Sequence, residues 1–285
     1  MASSDERAVL TTGNSPSMRS DERLAAGVLA LVAASSLLVA RIALNARLVS
    51  GVAASMETIT FVATLGPAVG ALAIATVTED AVERIGLVFV ATFALLLTLT
   101  TAVYVPAVVA VAGGGGLTVG RRWQRLDRPR DWHVLPAALL MGAVGVSLVG
   151  SIGVEPTMLW TVGSHLALLG MAGTPALLSH DRADWAFGGV IAGVLVAVGV
   201  SAPFVTGAVT LIGAGVIGAS LLVLAVGICG LVTTASAAVR QRHWYALVGA
   251  GLLLAGGVPT TTPRALAVVL GVLLLIEPRA GGVRR

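Results

Sequence analysis

Apolar positions run along this chain in long blocks, separated by short polar turns. The longest block, 186–239, holds 54 residues without one Asp, Glu, Lys, Arg or His. A membrane-crossing helix takes roughly 20 apolar residues to span ~30 Å of hydrocarbon. That block therefore predicts two crossings joined by a short turn. The same pattern gives ten apolar segments: 24–44, 58–77, 85–103, 105–120, 134–153, 157–178, 186–205, 208–232, 245–258 and 265–276. The expected fold is all-α, a polytopic transmembrane helical bundle of about ten spans built of helical hairpins. It occupies 23–278, with a disordered polar tail at 1–22 and a short basic tail at 279–285.

One division sets the span count. The stretch 85–120 is 36 uncharged residues, about 54 Å as a single helix at 1.5 Å per residue. A break at Tyr104-Val105-Pro106 makes it two crossings, since proline lacks a backbone donor and disfavours helix before it. The alternative is one long crossing ending in an irregular Gly113–Gly116 tract, which gives nine spans. Arginine distribution favours ten. Short cytoplasmic loops collect Arg and Lys. Ten spans put fifteen arginines on one side and three (Arg41, Arg47, Arg264) on the other, whereas nine spans divide them thirteen to five. Both counts place the C-terminus in the cytoplasm, and ten places the N-terminus there too.

The last two segments, about 14 and 12 residues, are too short to reach across alone. Either segment nine extends back through Trp244 with Arg242 snorkelling, or the pair is a re-entrant hairpin buried by protein. In the second half Arg130-Asp131-Trp132, Arg182-Ala183-Asp184-Trp185 and Arg242-His243-Trp244 each open an apolar helix that ends in a Pro/Thr turn. This reads as stacked hairpins in one orientation. Any hairpin with basic loops on one side and indoles at the headgroup level produces the same pattern.

Composition agrees: mean hydropathy is +0.95, with 56% hydrophobic and 11% charged residues, against roughly 25% charged in soluble domains. The net charge of +4 comes from Arg alone, as Lys is absent. Those arginines sit in short loops without a stripe of stacking aromatics, so nucleic acid is excluded as a partner. The expected surroundings are the lipid bilayer of the plasma membrane and other membrane proteins, met through Gly/Ala-rich helix faces. The tail 1–22 is too long and too weakly basic for a secretory n-region; a start at Met18 would leave a five-residue polar tail before Leu24.

Motifs add little chemistry. Gly213-Ala214-Gly215-Val216-Ile217-Gly218 matches GxGxxG but has neither a strand before it nor an acidic partner about 20 residues on. It reads as close helix packing, as do the pairs Gly66/Gly70, Gly116/Gly120 and Gly189/Gly193. No metal site is expected, because His133, His165, His180 and His243 are scattered and no HExxH or CxxC occurs. No catalytic set and no cofactor is expected either. Cys229 lies in an apolar run without a base nearby and reads as a small buried residue.

Three side chains remain as candidate ligand or proton sites: His165, Glu155 and Glu57. His165 is the one ionisable group near the middle of a crossing, where such a residue suggests function by default. The bland reading is a neutral imidazole bonded to Ser164, Thr161 or a neighbouring helix, and it is preferred because no other deep charge exists for proton exchange. Glu155 and Glu57 sit at segment ends and read as boundary markers. Glu155 could attract a cation at an outer mouth, and Glu57 could pair with Arg41 or Arg47. The hydroxyls Thr92, Thr98, Thr100, Thr101, Ser147, Ser151, Ser164, Thr174, Ser201, Thr210, Ser220, Thr233 and Thr234 are either helix glue or the lining of a solute path.

The sequence thus predicts an integral membrane protein that is not an enzyme, a component or subunit of a larger membrane assembly. The alternative is a small-solute permease, with His165, Gly163 and Gly170 as lining. Ten short crossings in fewer than 300 residues, both ends inside, resembles the layout of drug/metabolite-type transporters; layout alone carries the resemblance.

Overall fold

Where the apolar blocks run, the chain is helical. The structure, a computed structural model, describes residues 16–45, 56–100, 104–124, 131–153, 155–178, 180–201 and 220–276. Among them are ten α-helices and no strand: α1 (Pro16–Asn45), α2 (Met56–Val77), α3 (Ala81–Leu99), α4 (Tyr104–Gln124), α5 (Asp131–Ser151), α6 (Pro156–Gly173), α7 (Arg182–Ser201), α8 (Leu221–Arg240), α9 (Trp244–Gly256) and α10 (Thr262–Leu275). Five are long and apolar enough to cross a membrane by themselves, over Asp21–Ala40, Thr58–Val77, Val134–Ser151, Arg182–Ser201 and Leu221–Arg240.

Consecutive helices pair as five antiparallel hairpins. On α5 and α6 the close approaches are Pro136 with Gly173, Leu140 with Gly170, Ser147 with Gly163 and Gly150 with Trp160. One number rises as the other falls, so the helices run in opposite directions. The same holds for α1–α2 (Ala26 with Gly70, Ala33 with Gly66), α3–α4 (Gly86 with Gly114, Glu83 with Arg122), α7–α8 (Gly188 with Thr233, Asp184 with Arg240) and α9–α10 (Gly249 with Gly271, Gly256 with Val268). The hairpin expectation is therefore met.

The stretch 85–120 is two helices. Helix α3 ends at Leu99, and Thr100 at φ −154° and ψ 138° turns the chain out of it. Helix α4 carries Pro106 in its first turn, where a missing N–H costs no hydrogen bond. The Gly113–Gly116 tract is regular helix and not a loose end. Gly114 and Gly86 meet backbone to backbone, and a Cβ on either would lie 2.9 Å from the other's carbonyl oxygen.

Helix α10 occupies the axis of the bundle. It packs against α1, α2, α3, α4, α5 and α9, and its apolar side chains from Ala265 to Leu275 are at most 3% exposed. A helix apolar on every side is stable only with neighbours on every side. At 13 and 14 residues, α9 and α10 are about 20 Å long, short of a full hydrocarbon layer. Their burial answers the need that short membrane segments have for surrounding protein. Helix α7 is the opposite case. Among the described residues it packs substantially on α8 alone, and 17% of its apolar window is buried against 39–44% in the other four long helices.

Four sequence expectations are corrected. Helix α1 begins at Pro16, within the stretch 1–22 expected to be a disordered tail; proline's fixed φ suits a first helical turn. The apolar pattern ends segment eight at 232, but α8 continues to Arg240. Thr233 and Thr234 extend it by returning their hydroxyls to the carbonyls of Cys229 (2.8 Å) and Gly230 (2.9 Å). Segment six loses its α geometry at Thr174, where Pro175 converts it to a 3-10 turn, Thr174–Leu177. Of the three GxxxG pairs, Gly66/Gly70 packs against α1. A Cβ added at Gly116, Gly120, Gly189 or Gly193 would meet no atom within 4 Å among the described residues, so neither pair makes a close helix contact there. The GxGxxG tract, residues 1–15, the pairing of Glu57 with Arg41 or Arg47, and the tail 279–285 lie outside the described residues or side chains.

Candidate functional site

Charge gathers at one end of the bundle, where the odd-numbered helices begin and the even-numbered ones end. Asp80 caps α3, its carboxylate accepting from the Glu83 N–H at 2.9 Å. This aims Glu83 inward from the first turn. Across the hairpin, Arg122 in the last turn of α4 donates from Nη1 to Glu83 Oε1 at 2.6 Å, the two side chains being 5% and 3% exposed. Arg121, one residue earlier, reaches Asp80 at 3.0 Å on the outside. Arg122 lies beyond the apolar stretch 105–120. Burial, partly offset by Glu83, leaves its pKa lowered to about 10, so it is charged at neutral pH. Arg23 and Tyr245 also act on Arg122 electrostatically, and Arg23 donates to the Val77 carbonyl at 2.9 Å. Five helices, α1, α2, α3, α4 and α9, thus converge on one buried ion pair.

A second polar knot joins α7 to α8. Asp184, 3% exposed, accepts from Arg240 Nη2 at 2.7 Å, from the Ser236 hydroxyl at 2.8 Å and from the Asp181 N–H at 2.9 Å. The last contact is the reach-back half of a capping box. Asp181 meets Arg240 Nη1 at 2.8 Å. His180 sits edge-on to Trp185 with ring centroids 5.5 Å apart. This loop is the clasp of the α7–α8 hairpin. Farther along, α7 and α8 diverge around an apolar groove of about 560 Å³, lined by Gly193, Val196, Val200, Leu222, Val226 and Cys229.

The three candidates from sequence lie apart. His165 is half-buried on α6, its Nδ1 2.7 Å from the Thr161 carbonyl of its own helix. Glu155, exposed, precedes α6 in the left-handed conformation at φ 40° and ψ 56° and makes no side-chain cap. Glu57 stands at the start of α2, and its side chain is outside the description. Gly163 and Gly170 face Ser147 and Leu140 on α5, and so serve packing. Buried hydroxyls act as glue: Thr174 and Thr234 share a hydrogen bond of 2.8 Å between the 3-10 turn and α8, and Ser151 reaches the Thr260 carbonyl at 2.9 Å. Among the described residues no group of three or more His, Cys, Asp or Glu side chains is gathered as a metal ion requires.

Glu83 and Arg122 escape a reading of the sequence that takes loop charges as topology markers. The Asp-x-x-Glu spacing at Asp80 and Glu83 is the available signal for the cap. No spacing could announce Arg122 as its partner, 39 residues away.

A bundle with a wholly apolar axis and charge confined to helix ends is what lipid selects. A family model described as an integral membrane family of unknown function (DUF8068) matches residues 23–276. The chain belongs to that family. Neither a curated protein nor a solved structure matches it. As a DUF8068 member the chain is an integral membrane protein with a bilayer for its surroundings, and the match runs from Arg23 in the polar cluster to Ile276, just past α10.

Proposed function

We propose that this integral membrane protein is a non-enzymatic structural component of the plasma membrane that works within a larger assembly. The observation that carries this reading is α10. A permease needs a polar site near the midplane between its helices. The axis of this bundle is filled instead by Val268, Val269, Leu270, Val272 and Leu273, all fully buried. Helix α7 supports an assembly role. Among the described residues it packs substantially on α8 alone, and a Cβ added at Gly189 would meet nothing within 4 Å; small residues on such a face allow a neighbouring helix close approach. The arginine-bearing end faces the cytoplasm in this reading, with both termini on that side.

Extraction in native-membrane nanodiscs tests it. The full chain is expected to run larger than a monomer and to lose that size on Gly189→Ile. A lone monomer from wild-type membranes would overturn the assembly role. Solute flux into vesicles holding the purified chain, absent in empty vesicles, would favour the second reading, a small-solute permease. The buried Glu83–Arg122 pair is the observation on that side, since a pair closing one end of the α3–α4 hairpin could serve as a gate.

A further inference from the structure

We infer that the corner where α7 begins, α8 ends and α9 begins binds the headgroup of a phospholipid with net negative charge. Three exposed arginines meet there. Asp181 contacts Arg240 at 2.8 Å, which brings together the chain at 181 and at 240. Arg182 follows the first of these residues and Arg242 stands two beyond the second; both are exposed. Among the described residues neither Arg182 nor Arg242 has an ion pair or hydrogen-bonded side-chain partner. Of the two acids at the corner, Asp184 is buried and already takes three donors. The outward charge is therefore positive.

Two further features point to a lipid. Trp185 and Trp244, 43% and 53% exposed, flank the arginines, and indole rings settle at the headgroup level. Arg242 is held at φ 54°, in the left-handed region. A non-glycine residue there is strained and persists where the surroundings require it. The geometry turns the chain between α8 and α9 within the three residues 241–243 and leaves the guanidinium outside. Basic residues beside membrane helices attract anionic headgroups. This corner offers two guanidiniums, without an ion pair or side-chain hydrogen bond among the described residues, beside two exposed indoles.

Native mass spectrometry of the full chain in detergent, titrated with dioleoyl phosphatidylglycerol or dioleoyl phosphatidylcholine, tests the inference. Phosphatidylglycerol should bind more tightly. The double variant Arg182→Gln/Arg242→Gln should weaken it about 30-fold, roughly fivefold for each arginine. Arg182→Lys/Arg242→Lys should retain most of the binding, which shows that charge rather than folding is lost. Arg84→Gln, an exposed arginine at the start of α3, should change nothing. Equal binding of the two lipids, or an equal loss with Arg84→Gln, overturns the inference. Competition by glycerol phosphate at the same concentration as phosphatidylglycerol also overturns it, by making the site one for soluble anions.

Discussion

Four consecutive glycines in α4 give a perturbation with its own control. A Cβ at Gly114 would lie 2.9 Å from the Gly86 carbonyl oxygen and 2.9 Å from Val90 Cγ2, whereas at Gly113 and Gly116 nothing lies within 4 Å. Alanine in a helix interior is favoured over glycine by about 1 kcal/mol. Overpacking a tight contact costs about 1–3 kcal/mol, and a backbone oxygen has no rotamer by which to yield. Gly114→Ala should therefore lose up to about 2 kcal/mol net, while Gly113→Ala and Gly116→Ala gain up to about 1 kcal/mol each. Gly86→Ala should match Gly114→Ala, being the other face of the same contact. Equilibrium unfolding in mixed micelles, followed by circular dichroism against the fraction of SDS, reads these differences. Identical behaviour of the four variants would refute the hairpin contact and restore the irregular tract.

Two further outcomes follow from the charged end. Glu83→Gln or Arg122→Met alone should cost about 3–5 kcal/mol, because each leaves a buried partner uncompensated, while Glu83→Leu/Arg122→Met together should fall within about 2 kcal/mol of wild type; the same unfolding titration measures all three, and single losses below about 0.5 kcal/mol would mean that water reaches the pair. Asp184→Ala removes three acceptor contacts and should cost about 2 kcal/mol, read as faster proteolysis between α7 and α8, with Arg240 keeping only its exposed pairing to Asp181.

Hydropathy suffices for the helices because lipid imposes one rule on every crossing, and all ten segments appear as helices in order. Pro106 signals the α3–α4 break because proline suits a first helical turn, where its missing N–H costs nothing, and not a helix interior. Packing is less legible. Gly116/Gly120 and Gly189/Gly193 have the spacing of contact glycines but make no close helix contact among the described residues, whereas Gly86, Gly114, Gly249 and Gly271 make the close approaches without any motif. Spacing tells which residues share a helix face; it does not tell which face meets protein. The same gap hides the site. Glu83 and Arg122 look like loop charges, and only the antiparallel pairing of α3 and α4 brings them together. The low polarity of segments nine and ten is visible in the sequence, but the place of α10 at the axis depends on contacts with six other helices.

The occupied axis is tested most directly with the single cysteine moved. In a Cys229→Ser background, cysteines at Val268 and Val272 would report on α10, where both native side chains are 0% exposed, and one at Arg121 would report on the polar end. Sealed vesicles are treated with a charged, membrane-impermeant thiol reagent added outside and, separately, trapped inside. Labelling of the Arg121→Cys variant from one side only, with Val268→Cys and Val272→Cys silent from both, is the predicted result. Modification of either α10 cysteine would place water at the centre of the bundle and contradict the account.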